Sequence, residues 1–187
     1  MALIKHGKLA DNIWHDTDEF AELQALAPLG PVIVDLDIWR QHRDEILAQI
    51  ARIGGRIGLR LTPGQTPDLV AADLDHFELI ELQFAKFTDG RAYSQARLLR
   101  GRHGFKSELR ASGDILRDQL TFMLRCGFDS FLVATDHQAE AILEAVEEFA
   151  HWYQPALDQG ATIPALRRRI HGAAGASTAD CAAAWAY

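Results

Sequence analysis

Two stretches of this sequence put charged residues beside glycine where a strand would hand over to a helix. They are FTDGRAYS, residues 87–94, and SELRASGDILRDQL, residues 107–120. In the first, Asp89 stands just before a helical pattern, where a short carboxylate can accept free backbone N–H groups. Gly90 permits backbone conformations that other residues resist. Arg91 falls in the first helical turn, where the helix dipole disfavours a cation. An arginine kept there can bind a carboxylate, phosphate or sulfur oxyanion together with the helix N-terminus. It can equally pair with Asp89 or Asp114. Thr88 shares this loop, and Tyr93 and Ser94 face either the same rim or the core.

In the second stretch, Glu108 and Arg110 are two apart on a strand and share a face. Charges are unusual on a strand flanked by helices, because such strands are usually apolar on both faces. A buried Glu108–Arg110 network and a site near the strand end both fit. Asp114 is a natural N-cap, and Arg117 falls in the first turn after it. The candidate ligand- or partner-binding residues are therefore Thr88, Asp89, Arg91, Arg110, Asp114 and Arg117. The three arginines are expected on one positive surface. Asp89, Asp114 and Asp136 together have the chemistry for magnesium, but capping alone explains aspartates at helix starts, and no metal is expected.

The elements that must position these residues repeat. VIVDL (32–36), RIGLRL (56–61), LIELQF (79–84), SELRA (107–111) and SFLVA (130–134) read as strands. Helical patterns fall between them, over 37–53, 68–74, 91–102 and 115–125, and a long one follows over His137–Tyr153. The strands recur roughly every 22 to 28 residues, a βα-unit length. This alternation predicts an α/β fold with a mostly parallel sheet of repeated βα units, either open and doubly wound or half-barrel-like. Five units fall short of a complete eight-fold barrel. Residues 1–31 read as a small N-terminal β appendage, 32–158 as the α/β domain and 159–187 as a mobile, Ala/Gly-rich C-terminal tail. Ligands of such folds bind beyond the carboxyl ends of the strands, so the loops after 61, 84, 111 and 134 should share one rim.

Charge sharpens the reading. The 187 residues carry a net charge of −7, which argues against a nucleic-acid-coating protein. Residues 84–118 are nevertheless net +4, leaving −11 elsewhere. That suits an anionic ligand, an acidic partner, or a solvated basic face. No GxGxxG, GxxxxGK[ST], GxSxG or HExxH signature occurs, so no cofactor is expected. Cys126, at a helix end, reads as an apolar filler rather than a nucleophile, and Cys181 lies in the tail. No signal-like or bilayer-length apolar run is present, so a cytoplasmic, non-membrane protein is expected.

Residues 84–131, FAKFTDGRAYSQARLLRGRHGFKSELRASGDILRDQLTFMLRCGFDSF, closely resemble a bacterial family, domain-of-unknown-function family 934. Residues 32–83 resemble it more loosely. Ala85 stands where that family usually has Pro, and Ala92 and Ser107 where it usually has Gly. None of these departures removes a charged or polar group. The resemblance implies a place in sulfur assimilation, since members are labelled oxidoreductases of sulfite reduction, with no catalytic residues established. The expected function is an accessory protein of assimilatory sulfite reduction. It would bind a small oxyanion or a redox partner, such as the sulfite reductase haemoprotein, at the carboxyl rim. The alternatives are a barrel-like enzyme acting on a small anionic substrate through Asp89, Arg91, Asp114 and Arg117, and a structural or regulatory module.

Overall fold

The computed structural model describes residues 1–5, 7–17, 19–26, 30–135, 139, 140, 143, 152–157 and 162–170. Most of the helix expected over His137–Tyr153 lies outside the described residues, as do Asp136 and Cys181. Eight strands form one sheet: β1 (Ala2–Lys5), β2 (Lys8–Ala10), β3 (His15–Thr17), β4 (Val32–Asp35), β5 (Ile57–Leu61), β6 (Phe77–Phe84), β7 (Glu108–Gly113) and β8 (Ser130–Val133). Their order across the sheet is β2-β1-β8-β7-β6-β5-β4-β3. Strands β3 to β8 are all parallel, while β1 runs antiparallel to both β8 and β2.

The parallel strands follow one another in sequence order without a reversal. A doubly wound sheet needs such a reversal, so the half-barrel alternative is the one realised. Chain connectivity makes the curl unavoidable. Strands β2 and β3 occupy opposite edges, yet only Asp11–Trp14 separate them. Seven inter-strand spacings in a flat sheet would part the edges by about 34 Å. The five Cα–Cα steps from Ala10 to His15 reach only about 18 Å. The sheet must curl until that short strap can cross from edge to edge. Residues 1–31, expected as an appendage, thus supply three strands of the same sheet.

Helices α1 (Phe20–Leu26), α2 (Leu36–Ile53), α3 (Arg91–Arg97), α4 (Leu120–Arg125) and α5 (Ile163–Ile170) accompany the sheet, with a π-helical turn at Leu98–Arg102 after α3 and a 3-10 turn at Arg117–Gln119 before α4. Helix α5 lies in the segment expected as a mobile tail. Where residues 68–74 read as a helix, two short 3-10 turns stand at Pro67–Val70 and Leu74–His76. One continuous core joins the convex face of the sheet to the helices. It includes Val34, Leu59, Leu82 and Phe131 from strands, with Trp39 of α2, Ala96 of α3 and Met123 of α4. The period of two sends the intervening residues to the concave face. There Trp14 of the strap packs with Ile33 and Leu79 in a small separate cluster. Gly58 makes room for it, because a Cβ there would stand 3.1 Å from both Trp14 and Ile33. No helix among the described residues is long and apolar enough to cross a membrane.

Candidate functional site

The rim at the carboxyl ends of β6 and β7 is built around a glycine. Gly113 has φ +96°, and a Cβ on it would stand 2.3 Å from the Phe84 carbonyl oxygen. This close approach lets the Asp114 N–H donate to that same oxygen at 2.9 Å. The bend turns Asp114 back toward the preceding loop. Its Oδ2 accepts the Phe87 N–H at 3.0 Å, and Gln119 Nε2 donates to the Phe87 carbonyl at 2.6 Å. Gln119 Oε1 in turn accepts the Leu116 N–H at 3.3 Å. Both polar backbone groups of Phe87 are thus held by side chains of the next βα unit. Asp114 was expected to cap the helix after it; instead Leu116 stands at the N-cap of a 3-10 turn, Arg117–Gln119, that leads into α4.

The clasp presents an apolar surface. Phe87 is 49% exposed, Leu116 36% and Phe122 55%. Phe122 stacks obliquely on Tyr93, with ring centroids 4.9 Å apart, and Tyr93 meets buried Phe84 edge-on at 5.2 Å. Burial, with Cys126 and Asp118 nearby, pushes the Tyr93 hydroxyl up to about 12. It is therefore protonated at neutral pH. Burial also raises the Cys126 thiol, in keeping with an apolar filler.

Asp89 and Arg91 answer each other. The Asp89 carboxylate accepts the Arg91 backbone N–H at 3.1 Å and grips its guanidinium at 3.0 and 2.7 Å. The Arg91 side chain holds Asp89 down to about 2. A cation in the first turn of α3 is explained by that pair. Gly90 occupies the N-cap, so Asp89 satisfies only the first helical N–H. The Arg91 side chain remains 63% exposed. Thr88, Lys86 and Arg117 are exposed on the same two loops.

Arg110 is not with them. It is 1% exposed and points to the concave face, so the three arginines do not form one positive surface. Arg100, another cation of the basic segment, is also drawn inward, onto Asp129 and the carbonyls of Phe105, Ser107 and Gly127. The positive charge of residues 84–118 is therefore divided between rim, interior and opposite end. The rim is apolar with balanced charges rather than basic.

The concave face carries a second polar arrangement. In strand register, Asp35, Arg60, Glu81, Arg110, Ser130 and Lys5 form one row across six strands. Glu81 is buried, with Oε1 accepting from Arg60 Nε and Ser112 Oγ, each at 2.9 Å. Its Oε2 has no hydrogen-bond partner. Arg60 also reaches Asp16 at 2.6 Å and Asp35 at 3.4 Å. Glu108, one step along, binds Lys5 at 2.5 Å, Ser130 at 2.7 Å and Arg110 at 3.0 Å. Burial alone would raise its carboxyl, but Lys5, Ser130 and Arg110 together outweigh burial and hold it low. The Glu108–Arg110 network read from the sequence is therefore real. Arg60 and Glu81 were missed, although each is a lone charge inside an apolar run. Among the described residues, no group of three or more His, Cys, Asp or Glu side chains is placed to hold a metal ion.

The model of a family described as bacterial protein of unknown function (DUF934) matches residues 58–163. The match takes in both clasped loops, Arg60, Glu81 and Arg110, whereas β1 to β4 precede it. No curated protein matches the chain.

Proposed function

This chain belongs to the DUF934 family of bacterial proteins, and we propose that it is a docking protein of assimilatory sulfite reduction. Its partner would be a protein of that system, the sulfite reductase haemoprotein first among them, seated on the carboxyl rim. The observation that carries this reading is the clasp around Phe87. A large aromatic ring is held outward by a backbone fixed at both its N–H and its carbonyl. Leu116 and Phe122 on the next βα unit are exposed as well, and exposed apolar patches mark contact surfaces. Protein contact is favoured over a lone oxyanion, because Asp89 already neutralises Arg91. The sulfite-reduction context comes from the family resemblance. The enzyme reading through Asp89, Arg91, Asp114 and Arg117 receives less support. Asp89 and Arg91 are committed to each other, and Asp114 holds the Phe87 N–H. The test is titration calorimetry with purified sulfite reductase haemoprotein. Saturable binding that Phe87→Ser abolishes supports the reading, and no heat with the unaltered chain rejects it.

A further inference from the structure

At the other end of the sheet, the strap leaves a cavity of about 340 Å³ against the starts of the parallel strands. Its lining combines the charged side chains of Lys5, Glu108 and Arg110 with apolar Leu3, Ile13 and Trp14. Asp11, Arg56 and Glu78 are exposed at its lip, where Arg56 and Glu78 lie 3.6 Å apart.

Two observations give the chemistry of an occupant. In this lining, two cations share one carboxylate. Glu108 Oε1 is taken by Arg110 and Ser130, and Oε2 by Lys5. The Lys5 ammonium donates one of its three N–H groups there, leaving two for a ligand. Independently, Lys5 stands directly opposite Lys8 across the β1–β2 hairpin. Paired residues of an antiparallel ladder point to one face, and like charges so placed repel. Glu108 already answers Lys5, so a further negative group there would offset what repulsion from Lys8 remains. The size falls within the range of small-molecule sites, where polar groups orient the ligand.

We infer that this cavity binds a small organic monoanion: a carboxylate or sulfonate head on Lys5, with an apolar body against Trp14, Leu3 and Ile13. This site is separate from the carboxyl rim and does not depend on the docking role. The test is calorimetry of the full chain with benzoate, benzenesulfonate and the neutral isostere benzamide. Benzoate and benzenesulfonate should bind saturably and benzamide should not. Lys5→Met should weaken benzoate by about tenfold or more, the loss of one charge-assisted hydrogen bond. Arg52→Met, a charge removed from the helix side, should change nothing. Because Lys5→Met also loosens Glu108, Ala10→Phe gives a second test, filling the cavity with every ion pair kept. It should abolish benzoate binding and leave the circular dichroism spectrum intact. Absent binding at millimolar benzoate, equal binding of benzamide, or full binding by Ala10→Phe would each overturn the assignment.

Discussion

Arg110 Nη1 lies 3.0 Å from Asn12 Oδ1, a contact that helps fasten the edge-to-edge strap to the middle of the sheet. The same Asn12 oxygen accepts the Trp14 N–H at 3.3 Å, which turns the strap so that the indole faces the sheet. Arg110 also binds Glu108. One buried guanidinium therefore joins the curvature of the sheet to its charged interior.

Arg110→Leu should be severe. It leaves Glu108 with fewer partners in a buried place and frees the strap. Breaking a buried pair on one side costs about 3–5 kcal/mol. Urea denaturation should show that loss, and a change under about 1 kcal/mol would mean the strap is held by Trp14 packing alone.

Stability should fall in acid, and Glu108 sets part of that limb. Its carboxyl is held below the ordinary value of 4.5 in the folded chain. The unfolded chain therefore binds the proton more readily, so stability is present above that value and lost as pH drops below it. Urea midpoints measured from neutral pH down through the carboxylate range should show the decline. Glu108→Gln should flatten it; an unchanged acid limb in that variant would assign the decline to other carboxylates.

Gly113→Ala should destabilise the chain by more than about 1 kcal/mol, because the backbone there is left-handed and its neighbour is a backbone carbonyl. Gly64→Ala is the control, since a Cβ there meets nothing within 4 Å. Equal melting temperatures for the two variants would contradict the tight approach of β7 to β6.

Phe87→Ser should leave stability within about 0.5 kcal/mol, as an exposed side chain held through its backbone implies. Asp114→Ala should cost about 1 kcal/mol by releasing the Phe87 N–H. Both should weaken partner binding, the first through the contact and the second through loss of order in the loop. Thermal melts paired with calorimetry separate the two effects.

The parallel strands were legible because helix-covered strands read as apolar runs, as in RIGLRL and LIELQF. The same apolar runs hid Arg60 and Glu81, whose charges answer each other only once the register is known. Which face Arg110 takes depends on the phase of β7, which local pattern does not set. Asp114 shows a different limit: an aspartate before a helix can cap forward or reach back, and the bend at Gly113 decides. The spacing allowed Arg91 to pair with Asp89 or with Asp114, and the structure forms the Asp89 pair. The closing of the sheet was not legible, because β1 and β2 are short and their main partner is distant in sequence.

That distance governs the order in which the molecule can be assembled. Leu3 pairs with Leu132, about 130 residues later. On the ribosome, β3 to β8 can add one after another as each emerges, each joining a neighbour already made. The first hairpin synthesised must wait for the last strand of the sheet. Until then the β8 edge is bare, an open template for another chain. Only when β3 to β8 have formed and curled can the short strap bring the hairpin to that edge, which makes this non-local pairing a slow step. The β1–β2 hairpin is therefore a late-arriving latch, and the interval before it closes is when the nascent chain is most open to aggregation.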